Sequence, residues 1–268
     1  MSKKNYFDEL SLYEESEPET AIKKPKVESY SVIYASEDFV VVNKPAGLLT
    51  VPDRFIAALP CLEHQLRKKF GEIFVVHRID KETSGVILFA RNKDAHRNFS
   101  LMFESRKVKK TYLALVEGVP NPEEGIISLA IGSDTRKPGT MKVDSKEGKE
   151  SITAYRVLEK FRKASLVELL PTTGRQHQIR VHCAGIGHPL IVDSVYGTKS
   201  AFLLSSFKRG YKAKKAGERP LLARLSLHAL RLEFEHPVTM EQLSFEAPIA
   251  KDMQATLKQL RLHDCIKS

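Results

Sequence analysis

Between His77 and Ser84 the chain gathers an acid, a base, an arginine and two hydroxyls, held between the apolar runs that start at Val75 and end at Ala90. A solvated turn needs only one or two such residues, so this segment is built to present side chains. Asp80 is the group with the most chemistry available. An ionised carboxylate aimed into a cleft serves as a nucleophile or a general base. The plainer reading makes it a turn or helix-cap residue, because Thr83-Ser84-Gly85 is good turn chemistry. A carboxylate in a dry cleft needs a cation nearby to offset its desolvation.

Cations are available in Thr172-Thr173-Gly174-Arg175-Gln176-His177-Gln178-Ile179-Arg180-Val181-His182. Ile179, Cys183 and Ile186 fall on one helical face. Arg180 lies beside that face, where its stem can pack while its fork reaches a carboxylate. Arg175 precedes the helix and is better placed for phosphate or backbone contact. An ordinary surface ion pair is the plainer role for either. Tyr112 sits in an apolar strand-like run, where it packs in the core or offers a stacking platform with a hydroxyl near the reacting atom. His77, His177, His182 and His188 do not make a metal site. His177 and His182 are five apart rather than four, no Cys pair or HExxH accompanies them, and structural hydrogen bonding suits most of them better.

These residues need elements to hold them. Ser31–Tyr34 and Phe39–Val42 read as strands joined by a turn, and Asn43-Lys44-Pro45-Ala46-Gly47 breaks the second. Pro45 lacks a donor and Gly47 can take a positive φ. Lys44 therefore sits at a strand end, from which it is expected to reach a cleft. Leu59 to Phe70 has helical periodicity, Gly85–Ala90 is a buried strand, and Asp94 is expected to cap a helix to about Ser105 with Ala95, Phe99 and Met102 inward. Further strands are predicted at 111–117, 151–158, 164–170, 226–235 and 241–245, with helices at 176–184 and 251–262. Residues 118–149 should form loops or short hairpins, and the basic stretch 208–219 a mobile surface loop. Hairpin-grouped strands with few helices predict an α+β fold with a mixed, largely antiparallel sheet and flanking helices.

Composition narrows the class. Of 268 residues 42% are hydrophobic, enough to bury a sizeable core, and no run approaches a transmembrane length. Three widely spaced cysteines are a poor disulfide framework, which makes a reducing cytoplasm the expected compartment. The 43 Lys and Arg against 33 Asp and Glu leave a formal net charge of +10. An anionic partner follows, with nucleic acid ahead of a membrane surface. Basic runs at 106–110 and 208–215 can follow a phosphate backbone or serve as solvated faces. Residues 1–29 read as a charged, flexible extension.

The run His77 to Gly85 closely resembles the signature HR(L/I)D-x-x-TSG of the RluA-type pseudouridine synthases. The resemblance extends in family order through Val42-Asn43-Lys44-Pro45-Ala46-Gly47, Lys110-Thr111-Tyr112-Leu113-Ala114, Thr173 to His182, Gly187-His188-Pro189, Asp193-Ser194-Val195-Tyr196-Gly197 and Leu227-His228-Ala229. It implies a synthase domain over 30–268, with room for two subdomains, folded around an RNA-binding cleft. It implies isomerisation of uridine in RNA to pseudouridine without metal or organic cofactor. In that pattern Asp80 is the catalytic aspartate, Tyr112 stacks on the uracil and assists proton loss from C5, and Arg180 pairs with the aspartate in preference to Arg175. Arg78 enters the RNA stack when the uridine flips. Lys44, His77, Thr83, Arg175 and His177 join it as expected substrate contacts. Attack at C1′ or C6 and a glycal route are all compatible with it.

Two departures stand out. Many relatives have Gly-Asp at Val192-Asp193, and many carry an S4 RNA-binding domain for which the first 30 residues are too few. Structured RNA is the expected partner, ribosomal ahead of transfer RNA, acted on by a monomer. Two alternatives are a non-catalytic RNA-binding or ribosome-assembly protein on the same fold and, less well supported, a metal-dependent nuclease, for which the motifs supply only one clearly placed Asp.

Overall fold

A computed structural model describes residues 30–53, 56, 58–212 and 217–266. The expected extension 1–29 and the centre of the 208–219 loop lie outside them. In chain order the strands and helices are β1 (Ser31–Ala35), β2 (Phe39–Lys44), α1 (Leu62–Phe70), β3 (Phe74–Val75), β4 (Ser84–Ala90), α2 (Lys93–Glu104), β5 (Lys109–Glu117) and β6 (Glu124–Ser128). They continue with β7 (Ile131–Ser133), β8 (Met141–Val143), β9 (Ile152–Lys160), β10 (Ala164–Pro171), α3 (Gln178–Gly185), β11 (Leu227–Glu235), β12 (Gln242–Glu246) and α4 (Lys251–His263).

Ten strands form one sheet in the order β1-β2-β4-β11-β5-β10-β9-β6, with β3 added to β4 and β12 to β11; β7 and β8 form a separate hairpin. Among the described strands of the large sheet only β4 and β11 run parallel. The fold is thus α+β with a mixed, largely antiparallel sheet. Strand β4 is buried along its whole length, as expected for a continuous apolar run covered on both faces. The helices pack where their apolar stripes point: Ala95, Phe99 and Met102 of α2 are buried, as are Met253, Leu257 and Leu260 of α4. An aromatic cluster of Phe39, Phe99, Phe234 and Phe245 ties β2 to α2, β11 and β12, with ring centroids 5.2 to 6.0 Å apart.

Local boundaries differ from expectation in three places. Helix α2 is capped by Asn92, whose side chain accepts from the Ala95 N–H at 2.8 Å. Asp94 is already in the first turn, too late to be the cap. Helix α1 begins at Leu62 rather than Leu59, because the Leu59 N–H donates to the Ile56 carbonyl in a preceding turn. The 118–149 region contributes more than loops: β6 pairs with β9 and becomes the sheet's far edge. Among the described residues no helix is long and apolar enough to cross a membrane.

Candidate active site

Asp80 lies in the loop that leads into β4, and its backbone is clamped from the β2 end. The Gly47 N–H donates to the Lys81 carbonyl at 2.8 Å. Lys44 Nζ donates to the same oxygen at 3.0 Å, and also to Leu48 O at 2.7 Å and Pro45 O at 3.0 Å. Thr50 Oγ1 donates to Ile79 O at 2.8 Å. The carbonyls of the residues on both sides of Asp80 are therefore fixed by the Lys44–Thr50 segment. Gly47 has φ 82, which suits glycine.

Lys44 corrects an expectation. Its side chain is wholly buried and absent from the cleft wall. Burial pushes its ammonium down to about 7, opposed by Glu82 and Asp80. The three carbonyls it faces call for three donors, which only the ammonium form supplies. It is a strut for the Asp80 loop rather than a substrate contact.

Tyr112 reaches the same place by strand register. It pairs with Ala229 of β11, and Ala229 pairs with Gly85 of β4, so the Tyr112 position lies two strands from the end of the Asp80 loop. Burial, with Asp80 contributing, pushes the Tyr112 phenol up, and it stays protonated at neutral pH. His77 is tied into the frame: its Nε2 accepts from the Leu88 N–H at 3.0 Å, and its ring stacks on Phe103 with centroids 4.3 Å apart. Burial, helped by Lys110, lowers it to about 3. The ring lines the cleft, but its described hydrogen bond goes to backbone. Thr83 is buried and its N–H closes the turn onto Asp80 O at 3.1 Å. Its hydroxyl has no partner among the described residues.

Helix α3 starts at Gln178 because His177 adopts φ 55, a left-handed conformation uncommon for a non-glycine residue. Buried Gln178 anchors that start, accepting from Thr173 Oγ1 and the Arg175 N–H and donating to Ile152 O and Thr153 Oγ1. Arg180 then points at two carboxylates. Its tight partner is Asp193, met in a two-pronged contact at 2.8 Å and 2.7 Å; Asp80 Oδ2 lies 3.7 Å from Nη1. The Asp193 side chain is fully buried, and burial pushes its carboxyl up less than Arg180 and the Val195 and Tyr196 N–H groups pull it down. Arg180 is thus an oriented cation held by Asp193 and offered to Asp80. Val192 has φ 59, the conformation that a glycine would adopt without strain, so the departure from Gly-Asp leaves the turn in place at a steric cost.

His177 Nε2 stands 3.9 Å from Asp80 Oδ2, and its Nδ1 is 2.8 Å from the Tyr196 hydroxyl. Arg175 lines the cleft, its Nε donating to Glu150 O at 3.2 Å. Arg78 lines it too and is exposed. Three other histidines serve the framework. His182 bonds Thr153 Oγ1 and Leu129 O, His188 bonds Glu117 O, and His228 bonds Ser84 Oγ and Ala247 O. No group of three His, Cys, Asp or Glu side chains among the described residues is arranged to hold a metal ion.

The cleft encloses about 560 Å³ and brings together Asp80, Tyr112, Arg180, His77, Arg78, Thr83, Arg175 and His177. Its size suits a small ligand such as a nucleotide. Arg106 and Lys110 join Arg78, Arg175 and Arg180 in the wall, against Asp80 and Glu104, so the surroundings of the Asp80 carboxylate are cationic on balance. Asp193, Tyr196 and Lys110 were not singled out from the sequence as site residues. Asp193 and Tyr196 fall within the run Asp193–Gly197, which was the available signal; their partners Arg180 and His177 lie on α3 and at its start, which spacing does not reveal.

A family model described as RNA pseudouridylate synthase matches residues 38–185. The dual-specificity RNA pseudouridine synthase RluA of Pasteurella multocida (strain Pm70) is 36% identical over 228 residues, covering 84% of this chain and 96% of that protein. The ribosomal large subunit pseudouridine synthase D of Neisseria meningitidis serogroup B is 36% identical over 248 residues, covering 89% of this chain and 63% of its own length. Among solved structures, human RNA Pseudouridylate Synthase Domain Containing 1 superposes with a TM-score of 0.65 at 29% identity, covering 92% of this chain and all of that one.

Proposed function

The chain belongs to the RNA pseudouridylate synthase family and is an RNA pseudouridine synthase; from that premise we propose that Asp80 is its nucleophile and structured ribosomal RNA its substrate. The observation that carries the first part is convergence. Asp80 from a loop, Tyr112 from β5 and Arg180 from α3 meet in one cationic cleft.

A uracil stacked in folded RNA must leave its stack before a carboxylate can reach it. Exposed Arg78 is suited to fill the vacated place, and the cationic wall to hold the flanking phosphates. Asp80 then attacks as an anion and forms a covalent adduct with the nucleotide. The N-glycosidic bond breaks, the retained base turns, a bond forms between C1′ and C5, and the bond to Asp80 breaks to return the free carboxylate. Loss of the C5 proton completes the isomerisation. Tyr112, held as a neutral phenol, acts first as a stacking platform; removing the C5 proton through its oxygen requires the phenol to pass on its own hydrogen. Arg180 supports the carboxylate from one side while Asp193 fixes its fork.

The name of the Neisseria relative supports ribosomal RNA as the first substrate to test, and the dual specificity of the Pasteurella relative argues for testing transfer RNA beside it. The experiment is a pseudouridine map of total RNA from cells with and without the gene, complemented with wild type or Asp80→Asn. One or more sites should vanish on deletion and return with wild type alone. A variant Asp80→Asn that restores them would remove Asp80 from the mechanism, and sites lost only from transfer RNA would overturn the choice of substrate.

A further inference from the structure

We propose that Tyr196 is a positioning residue that holds His177 in the tautomer with its hydrogen on Nε2, so that an N–H rather than a lone pair faces Asp80. The inference rests on the reading of Asp80 as nucleophile. Its geometry is a short chain of hydrogen bonds. The Met141 N–H at the start of β8 lies 2.8 Å from the Tyr196 hydroxyl oxygen, and His177 Nδ1 lies 2.8 Å from the same oxygen on another side. A backbone N–H can only donate, so the Tyr196 oxygen accepts from Met141. The phenolic hydrogen then has His177 Nδ1 as its one acceptor among the described contacts, which puts the imidazole hydrogen on Nε2.

The opposite tautomer fails on two counts. If Nδ1 carried the hydrogen, the Tyr196 oxygen would accept twice and its own hydrogen would have no described acceptor. The bare Nε2 would also face the Asp80 Oδ2 oxygen at 3.9 Å, lone pair against lone pair. Burial lowers His177, opposed first by Asp80, which favours the neutral ring. Burial likewise raises the Tyr196 phenol, which keeps its hydrogen.

The consequence falls on Asp80. Arg180 Nη1 and His177 Nε2 make their closest approach to the same carboxylate oxygen, Oδ2. Two N–H groups 3.7 and 3.9 Å from one oxygen attract it electrostatically, which biases the carboxylate's orientation and leaves the other oxygen to attack. Arg180 also lies over the Tyr196 ring, 4.9 Å from its centroid. Tyr196→Phe keeps that ring and removes only the hydroxyl, so it isolates the proposed effect.

The test starts with the free protein carrying ¹⁵N-histidine, the His177 signals being identified by their loss in His177→Ala. Wild type should show the Nε2–H pattern and Tyr196→Phe a mixture or the Nδ1–H pattern. In single turnover Tyr196→Phe should slow pseudouridine formation about tenfold, the scale of one hydrogen bond lost beside the reacting group, with RNA affinity within about twofold. In the His177→Ala background the same change should cost less than about twofold, because a residue acting through His177 is silent without it. An Nδ1–H pattern in wild type, or equal losses in both backgrounds, would overturn the proposal. The spectrum needs no turnover, so it decides the tautomer even if Asp80→Asn proves active or Tyr196→Phe fails to fold.

Discussion

His77 and Lys44 flank the Asp80 loop, and His77 Nε2 and Lys44 Nζ both bond the backbone. For His77 this has a pH signature. Its folded value of about 3 lies below the ordinary 6.5, so the unfolded chain binds more protons between those values. The stability that the neutral ring contributes is fully present above pH 6.5 and is lost as pH falls toward 3. Between pH 7.5 and 4.5 that loss should be roughly 2.7 kcal/mol. His77→Gln offers an amide oxygen to the Leu88 N–H and does not titrate. It should be less stable than wild type at pH 7.5, and the gap should narrow by roughly that amount at pH 4.5. Urea unfolding of both proteins at the two pH values measures it, and a constant gap would show that His77 is not buried as a neutral acceptor. Nothing in the spelling of the His77 motif tells a ligand-facing imidazole from one that caps a backbone N–H. The distinction came from Leu88, eleven residues away and adjacent only in space.

At the scale of elements, the junction of β4 and β11 carries the site. Gly85 pairs in register with Ala229, at φ 116, and a Cβ built there would stand 2.1 Å from Ala229 O. No side chain fits so close to a neighbouring backbone. Gly85→Ala must therefore push β4 from β11, the one parallel contact among the described strands of the large sheet, and disturb the register that sets Asp80 against Tyr112. We expect a loss of at least about 3 kcal/mol and little soluble protein, read by expression yield and thermal unfolding; a variant with wild-type melting would refute this account of the junction. The strands themselves were legible, since β2, β4, β5, β10 and β11 are apolar runs of strand length bounded by turn residues. Helix ends were less so. Asn92 and Asp94 are both good caps by type, and only the extended backbone at Asn92 decides between them.

For the molecule as a whole, charge becomes a binding term. The chain carries a formal +10, and Arg78, Arg106, Lys110 and Arg175 line the cleft around Asp80. If these four meet phosphates, the logarithm of RNA affinity should fall against the logarithm of salt with a slope of about −3. Arg175→Ala should make that slope shallower by about 1 with a similar loss for every RNA sequence tried. Filter binding over a salt series measures both, and an unchanged slope would take Arg175 out of the phosphate path.

The sequence by itself determined the chemistry on offer: a carboxylate pair in a polar run, an aromatic strand residue, an arginine-rich helix start and a basic surface. Family resemblance turned those into uridine isomerisation, because several motifs in one order are far more specific than any of them alone. Tertiary structure decided which polar groups are free to act. Lys44 and His77 are committed to carbonyl and N–H groups of the frame, while Arg180 owes its aim to Asp193, thirteen residues on. Buried polar atoms must find partners wherever the fold brings them, and those partners are set by strand register and helix packing rather than by distance along the chain.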